Sequence, residues 1–544
     1  MKSFYEKYRE NILCFFGIFG LLVLQYSWFG CTYWLQLDDY IHYRELAEGT
    51  DAVQLCIDNG LFTSRPLVGL LDLIFWGRLP LYFNTVLLCA MYAGAGVLFL
   101  TLFRRLFGTG YSFLVIFALL PLGFEGSYWQ AAGTRIIPPM LFTAVALLCL
   151  DTFFRRKRYW LLVPFMLCSL LSFCFYEQML VLSLALSLML SGIYLLKGNR
   201  HSLWGLTVFV PVAAYAAITG YFAGLADGQL ASRMQLVLPW DPAWQTSHLP
   251  RLIPQLRDCF FRVGSEILTN GFARGLQIMF TEGVWLAILI PAAGVLTLLA
   301  LRRSGDKRPE GASHLAALFG ALAILAPITP FFVIANPWVC LRSVLPSFLG
   351  LALLGDYLLR LVLKNRTALA AALMTVVFLI CSVSELSDYR DVTRENQQIA
   401  EAILEADEAY GLSGRVGILD LDQIYTDEQN FLYHDHVMSA HASDWALTGL
   451  VRYHAGTPAI SYTPTPLPVN GDQHRYAWST LQGFTGEYPF IFRYFRESNT
   501  MILLSVRQVD ADRWELYDES GTVHAAIIRD GEAYGIVELM TEAD

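Results

Sequence analysis

Residues 81–103 read LYFNTVLLCAMYAGAGVLFLTLF, a stretch with no charged side chain, and Arg104 and Arg105 follow it directly. A helix needs about 20 apolar residues to cross the hydrocarbon core of a bilayer. The stretch therefore predicts a membrane-spanning helix, and similar stretches bring the expected number to about eleven. The predicted spans lie near residues 12–30, 81–103, 110–123, 138–154, 159–175, 178–196, 203–222, 281–301, 313–334, 343–362 and 366–384.

The composition of the whole chain points to the same class of protein. Of 544 residues, 55% are hydrophobic and 16% are charged, whereas roughly a quarter of the residues in a soluble globular protein are charged. The net charge of −9 also argues against a nucleic-acid-binding protein. We therefore predict an all-α polytopic membrane protein rather than a soluble enzyme or a disordered chain.

Charge divides the chain into two parts. Residues 1–384 contain 28 Lys and Arg against 20 Asp and Glu, whereas residues 385–544 contain ten Arg, no Lys and 27 Asp and Glu. The second part is long enough to form its own core. Its pattern predicts a helix over Glu385–Tyr410 and strands at 501–506 and 514–517. We expect a transmembrane domain at 1–384 and an acidic, soluble α+β domain at 385–544.

The basic residues predict the orientation of the chain, since Lys and Arg are enriched in cytoplasmic loops. All six lysines fall in segments that share the side of the N-terminus, so we place the N-terminus in the cytoplasm. An odd number of spans then places the C-terminal domain outside. Two long outer loops are expected, at about 31–80 and 223–280. Within the first, the apolar stretch 66–76 is interrupted by Asp72 and is interpreted as an amphipathic helix at the outer interface.

An acidic pair, Asp38-Asp39, follows the first predicted span at the outer face. Adjacent carboxylates at the boundary between water and lipid repel each other and cost free energy. A carboxylate there could act as a general base and take a proton from an acceptor hydroxyl. The alternative is a solvated helix cap, because Asp favours helix starts. The segment Thr63-Ser64-Arg65-Pro66-Leu67 follows later in the same loop.

This layout resembles the GT-C superfamily of membrane glycosyltransferases, in which an acidic pair opens the first outer loop. In many members a His/Lys/Arg-x-Pro-like segment and a juxtamembrane helix follow. Asp38-Asp39 matches the pair, and Arg65-Pro66-Leu67 loosely matches the second element. Over about residues 10–384 the chain looks most similar to bacterial O-antigen glucosyltransferases. It differs from protein mannosyltransferases, which have Asp-Glu and a fuller His-Pro-Pro segment.

The resemblance implies an inverting transferase in a bacterial plasma membrane. Its donor would be a sugar linked to polyprenyl phosphate, and its acceptor an envelope glycan, a lipid or another hydroxyl compound on the extracytoplasmic face. Asp38 or Asp39 would be the general base. No Gly-rich phosphate loop is apparent, so no nucleotide cofactor is expected, and a divalent cation is left open.

A polyprenyl phosphate needs cationic donors at the outer face. Arg135 and Arg342 lie beside aromatic residues at predicted outer span ends, and Arg65 lies in the first outer loop. We therefore expect these three arginines to bind the donor phosphate. The alternative is that they anchor the protein at the interface, where Arg and Trp are common.

Acidic and aromatic residues border the same span ends. Glu125 and Glu177 are expected to bind acceptor hydroxyls, to support the base or to help hold a divalent ion, and the alternative is a partner for a nearby Arg. Their neighbours Tyr128, Trp129, Tyr176 and Gln178 are grouped with them as acceptor-binding or supporting residues. No metal-ligand pattern is complete, and His434-Asp435-His436 is interpreted as polar surface.

Two other functions remain open at this level. A transporter or flippase of a lipid-linked glycan usually has ionisable groups near the bilayer midplane, whereas the carboxylates here cluster at predicted outer span ends. A membrane scaffold would recruit a partner through its acidic tail, and the Asp pair would then be dispensable.

Overall fold

A computed structural model shows two compact units within the chain. It describes residues 2–40, 61–69, 71, 75, 79–225, 236–303, 314–335, 337–363, 366–421, 440–442, 444–457, 460–467, 488–530 and 533–539. The first unit, Met1–Tyr33 with Ala52–Ser387, is called the membrane unit. The second, Trp34–Asp51 with Asp388–Asp544, is called the C-terminal unit.

The membrane unit is helical. Its helices are α1 (Lys2–Gln25), α2 (Leu81–Phe107), α3 (Ser112–Leu119), α4 (Phe124–Tyr128), α5 (Gln130–Arg156), α6 (Leu162–Phe173), α7 (Glu177–Leu196), α8 (Phe209–Ala223), α9 (Leu249–Arg257), α10 (Val263–Thr281), α11 (Leu286–Arg303), α12 (His314–Leu325), α13 (Leu341–Val344) and α14 (Phe348–Leu363). Helix α15 (Thr367–Tyr410) begins in this unit and ends in the C-terminal unit.

Seven helical segments of the described residues are long and apolar enough to cross a membrane: Leu81–Phe107, Gln130–Arg156, Glu177–Leu196, Arg200–Ala223, His314–Phe332, Leu341–Leu363 and Thr367–Tyr410. Two shorter apolar helices are Tyr159–Phe173 and Leu286–Arg302. The chain is therefore a helical, membrane-embedded protein. Because the predicted span at 110–123 contains only the eight-residue helix α3, the number eleven stays a prediction.

Glycines allow the helices of the membrane unit to approach closely. A Cβ on Gly275 of α10 would overlap the backbone carbonyl of Ile380 on α15. In the same way, a Cβ on Gly350 of α14 would overlap the carbonyl oxygen of Gly320 on α12. Small residues at such crossings give the backbone contact that drives helix association in lipid, where the hydrophobic effect between helices is weak.

Buried aspartates hold ends of several helices in this unit. Asp356 of α14 is 0% exposed, accepts a hydrogen bond from the Gly110 amide at 2.9 Å and pairs with Arg360 Nε at 2.9 Å. Asp151 of α5, also fully buried, accepts from Tyr194 Oη at 2.6 Å and pairs with Arg105 at 3.2 Å. Each carboxylate thus has both a cation and a neutral donor, which offsets the cost of its burial.

The C-terminal unit combines the end of α15 and helix α16 (Asp444–Ala455) with a sheet. Its strands are β1 (Gly414–Leu419), β2 (Tyr462–Pro466), β3 (Phe490–Phe495), β4 (Thr500–Gln508), β5 (Arg513–Tyr517), β6 (Val523–Asp530) and β7 (Ala533–Leu539). The described strands have the order β2-β1-β3-β4-β5-β6-β7. Strand β1 pairs in parallel with β2 and β3, and the later pairs are antiparallel.

The sheet confirms the predicted mixture of helix and strand after the last span. Strand β4 includes the predicted strand at 501–506, and β5 covers the one at 514–517. Leu419, Leu516 and Ile527 are 0% exposed and belong to one buried cluster under the sheet. The predicted division after residue 384 falls inside α15, which continues without a break to Tyr410.

Candidate functional site

The two carboxylates of the Asp pair have different environments. Leu37–Tyr40 is a 3₁₀ turn of the C-terminal unit. Asp39 is 0% exposed, and its Oδ2 accepts a hydrogen bond from the Gln36 amide at 2.9 Å. The Asp39 amide donates to the Gln36 carbonyl at 2.7 Å. Asp38 is half-buried. The carboxylate of Asp39 therefore reaches back to the amide three residues earlier and closes the turn, as the third helical residue of a capping box does, whereas Asp38 keeps part of its surface exposed.

The turn is attached to α15 through Gln36. The Gln36 side-chain amide donates to the Tyr389 carbonyl at 2.9 Å and to Thr393 Oγ1 at 3.1 Å. The single proton of the Thr393 hydroxyl can be donated either to the Tyr389 carbonyl of the same helix, at 2.8 Å, or to the Leu35 carbonyl, at 3.1 Å. Gln36 is itself fully buried, so these bonds satisfy its amide nitrogen in a place without water.

On its other side the turn contacts α16 of the same unit. Tyr40 is 0% exposed, and its ring lies edge-on to that of Tyr453, with 6.3 Å between the centroids. The backbone carbonyl of Tyr40 lies against Gly449, where a Cβ would overlap it. Contacts from two helices thus hold the residues that carry the Asp pair.

Arg65 forms an ion pair in the membrane unit. Its Nε lies 3.2 Å from both carboxylate oxygens of Glu177, at the start of α7. The guanidinium carbon lies 4.4 Å from the ring centroid of Tyr176, the residue before that helix. Cation–π contact and ion pairing therefore act on the same group.

Backbone contacts hold the segment that carries Arg65. The Leu67 amide donates to the Cys174 carbonyl at 3.0 Å, just before α7. The Tyr215 hydroxyl of α8 donates to the Ser64 carbonyl at 2.7 Å. The segment predicted to match the second GT-C element is therefore fastened on both sides of Arg65.

Arg65 and Arg342 influence the same group of charges. Burial works against the charge of Arg65, but the Glu177 carboxylate outweighs it and raises the pKa of the guanidinium, while the positive charge of Arg342 acts in the opposite direction. Burial raises the pKa of Tyr176, and both arginines counteract that rise. The positive charges of the two arginines thus act on the same tyrosine.

Arg342 lies against Glu125 and Trp129, two of the residues that the sequence predicted to be functional. Its guanidinium carbon is 4.7 Å from the ring centroid of Trp129. Its backbone amide donates to Glu125 Oε1 at 3.2 Å, and Glu125 is 1% exposed. A Cβ on Gly126 would lie 3.2 Å from the Arg342 carbonyl, so α4 and α13 pack closely at this point.

Two further groups of this region are buried polar side chains. The Trp129 indole nitrogen is buried and has no hydrogen-bond acceptor among the described residues. Gln178 of α7 donates to the carbonyls of Pro327 and Ser343 at 2.9 and 3.1 Å. Gln178 therefore joins α7 to the segment around Arg342.

The remaining predicted residues lie nearby in sequence but have other contacts. Tyr128 is 0% exposed and packs in an aromatic group, 5.1 Å from Tyr26 and 5.3 Å from Tyr33 between ring centroids. The guanidinium of Arg135 donates to the Ala131 carbonyl one turn earlier in α5. One group of charged and aromatic side chains in the membrane unit is called the arginine cluster. Its charges interact with one another, and it consists of Arg65, Tyr176, Glu177 and Arg342. The contacts described above join three further residues to it: Trp129, Glu125 and Gln178.

Sequence reasoning missed the residues that hold the Asp turn. Gln36 and Thr393 are separated by 357 positions, and nothing in the local pattern around either one signals their contact. Gly449 has no side chain whose chemistry could have indicated this contact. The only hint was the proximity of Gln36 to the acidic pair in sequence.

Some expectations fall beyond the described residues. His434-Asp435-His436 lies outside them, and so do residues 70, 72–74 and 76 of the predicted interfacial helix at 66–76. Within the described ranges, no group of three or more His, Cys, Asp or Glu side chains is placed to hold a metal ion.

Comparison of this chain with family models, with curated proteins and with solved structures finds no match.

Proposed function

We propose that the chain is a membrane glycosyltransferase of the GT-C type. It moves a sugar from a polyprenyl-phosphate donor to an envelope glycan or another acceptor on the extracytoplasmic face, with inversion at the anomeric carbon. The acidic pair and the Arg65-Pro66-Leu67 segment support the reaction class through their resemblance to that superfamily. The helical, membrane-embedded body fits a donor that is presented from the bilayer.

The observation that supports this proposal is that Arg65 and Arg342 both act on the charge of Tyr176, beside the ion pair of Arg65 with Glu177. A phosphate bound near this group would interact favourably with both guanidinium groups. Each guanidinium has an aromatic ring against its face. Such stacking leaves the N–H edge in the plane of the group, which suits the oxygen atoms of a phosphate.

The two aspartates differ in burial, and we use this difference to choose the candidate for the base. Asp39 is fully buried and bound to the Gln36 amide, so we assign it to the structure of the turn. Asp38 is half-buried, and we assign to it the role of general base. Its carboxylate takes the proton of the acceptor hydroxyl while the hydroxyl oxygen attacks the anomeric carbon. The bond from that carbon to the phosphate oxygen breaks, and polyprenyl phosphate leaves with the bonding electrons.

The test compares Asp38→Asn with Asp39→Asn in lipid nanodiscs supplied with polyprenyl-phosphate sugars and a hydroxyl acceptor. Loss of a general base lowers a rate by about 10²–10⁴-fold, so Asp38→Asn should reduce kcat by at least about a hundredfold. Asp39→Asn should lose far less activity, because an amide oxygen can still accept the Gln36 N–H. Thermal unfolding of both variants serves as the control for folding.

Two results would reject the proposal. One is a wild-type kcat in Asp38→Asn when the variant is inserted and folded. The other is transfer of the intact lipid-linked sugar across a sealed vesicle without cleavage of its phosphate bond, which would identify a flippase.

A further inference from the structure

We propose that the C-terminal unit is a positioning device that holds the turn bearing Asp38. This inference rests on the proposed function, because it assigns the tail a role in that reaction. From the sequence alone, the acidic tail was considered as the part of a membrane scaffold that recruits a partner. The structure favours a different role, since Trp34–Asp51 belongs to the same compact unit as Asp388–Asp544.

The first support is the contact between the turn and α15. The Gln36 side chain donates to the Tyr389 carbonyl and the Thr393 hydroxyl, and the Leu35 carbonyl is a second acceptor within 3.1 Å of that hydroxyl. These bonds flank the turn on its N-terminal side, and Gln36 is fully buried. A displacement of the turn would leave the Gln36 side-chain amide without its acceptors, which costs free energy.

The second support is the packing of α16 on the C-terminal side of the turn. Gly449 has no side chain, and it lies against the backbone carbonyl of Tyr40. A methyl group on Gly449 would overlap that carbonyl. A backbone atom cannot rotate away as a side-chain tip does. Any side chain at 449 would therefore have to shift the turn or the helix. Asp38 lies two residues before Tyr40, so such a shift would reach it.

The rate of the reaction depends on the position of the catalytic base, so a shift of the turn would affect catalysis. A displacement of about 1 Å, from a substitution far from the chemistry, can lower a rate about 10²-fold. Gln36, Thr393 and Gly449 are thus positioning residues, which act through Asp38 and do not touch the reacting atoms. The C-terminal unit would then be required for the reaction even without contact with the acceptor.

The experiment uses the full-length protein in nanodiscs and a matched pair of glycine substitutions. Gly449→Ala adds a methyl group against the Tyr40 backbone. Gly417→Ala adds the same methyl group to β1 of the same unit, where it meets only side-chain atoms, of Leu467 at 2.8 Å and of Tyr488 at 3.2 Å from the ideal Cβ position. This variant crowds the core of the unit without meeting the backbone of the Asp38 turn, so it is the control for a general loss of stability.

A second pair tests the contact with α15. Thr393→Val removes the hydroxyl at nearly constant volume, and Thr393→Ser retains it. We expect Gly449→Ala and Thr393→Val to lower kcat with little change in the donor KM. Gly417→Ala and Thr393→Ser should stay near the wild-type values. A purely structural role would instead lower the amount of folded protein without changing kcat per folded molecule.

The position of the turn is read independently of activity. Each substitution is combined with Asp38→Cys in a cysteine-free chain, and the rate of thiol labelling at residue 38 is measured with a membrane-impermeant reagent. We expect a several-fold change in Gly449→Ala and none in Gly417→Ala. Equal rates in the two variants would reject the positioning role, whatever the activity.

The outcomes separate this inference from the proposed function. If labelling at residue 38 changes but kcat per folded molecule does not, the turn is held by the unit without consequence for catalysis, and the inference is wrong. If Asp38→Asn alone has a wild-type kcat, the proposed function is wrong. The role assigned here to the C-terminal unit then fails with it, even where the labelling rate changes.

Discussion

Arg65 Nε lies at the same distance, 3.2 Å, from both carboxylate oxygens of Glu177. The contact joins the first outer loop predicted from the sequence to the start of α7. Both side chains are roughly one quarter exposed, 27% and 28%, so water screens the pair only in part. A cation held in this way, with a second arginine nearby, forms the basis of the arginine cluster.

The first prediction concerns the strength of that ion pair. In a double-mutant cycle with Arg65→Met and Glu177→Gln, we expect an interaction free energy of about 1–3 kcal/mol, because the two groups are in direct contact. Thermal unfolding in detergent measures it. The exposed pair Arg507–Glu515, at 2.6 Å, is the comparison and should give less than about 1 kcal/mol. Equal values for the two cycles would contradict the structural importance of the Arg65 pair.

The second prediction concerns recognition of the donor by Arg342. Arg342→Lys keeps the charge but loses the planar fork and the stacking on Trp129. Hydrogen bonds to charged groups contribute about 1.5–3 kcal/mol, so the donor KM should rise about tenfold or more. Steady-state kinetics with varied donor concentration checks this. Arg366→Lys, at an exposed position, is the control, and an unchanged KM in Arg342→Lys would remove Arg342 from the donor site.

The third prediction concerns a buried ion pair of the membrane unit. Asp356→Ala leaves Arg360, of which 15% is exposed, without its carboxylate. Removal of one partner of a buried pair costs about 3–5 kcal/mol. The variant should therefore unfold at a clearly lower temperature in detergent than Glu515→Ala, whose carboxylate belongs to an exposed pair. A melting temperature like that of wild type would show that Asp356 is dispensable for stability.

The fourth prediction concerns the dependence of the C-terminal unit on pH. Hydrogen bonds from the Ser520 side chain, and then from His524, hold the pKa of Asp518 well below its usual range. The unfolded chain therefore binds more protons than the folded chain as the pH falls below about 4. The stabilisation is fully present above that value and is lost as the pH falls towards the pKa of the folded state.

Hydrogen exchange of the β5–β6 hairpin, corrected for the intrinsic rate at each pH, measures this loss. Wild type should lose protection between about pH 4 and pH 2. Asp518→Ala should have lower protection at neutral pH and a flatter acid response. The same acid response in both proteins would exclude Asp518 as its source.

Local patterns predicted the class of the protein and part of its secondary structure. The uncharged run at 81–103 lies inside α2, and the strand pattern at 501–506 lies inside β4. Hydropathy and alternation are properties of neighbouring residues, so they can be read without knowledge of the fold. The predicted span at 110–123 was less informative, because proline and glycine interrupt it and α3 ends at Leu119.

The candidate site was predicted residue by residue but not as an arrangement. The sequence singled out Arg65, Glu177 and Arg342, yet Glu177 was equally open as an acceptor-binding residue or as a partner of an arginine. The ion pair with Arg65 spans 112 positions of the chain. Only packing of α7 against the first loop brings the two charges together.

By itself, the sequence determined that this is a membrane-embedded helical chain followed by a hydrophilic, acidic region with strands. The length of the apolar segments and the density of charged residues suffice for that prediction, since a segment must be long and apolar to cross the bilayer. Only the tertiary structure decided that the Asp38 turn belongs with the C-terminal unit, and that Asp39 rather than Asp38 is buried. Gln36 reaches Tyr389 across 353 positions. Such a contact depends on the packing of whole helices, which no local pattern of residues encodes.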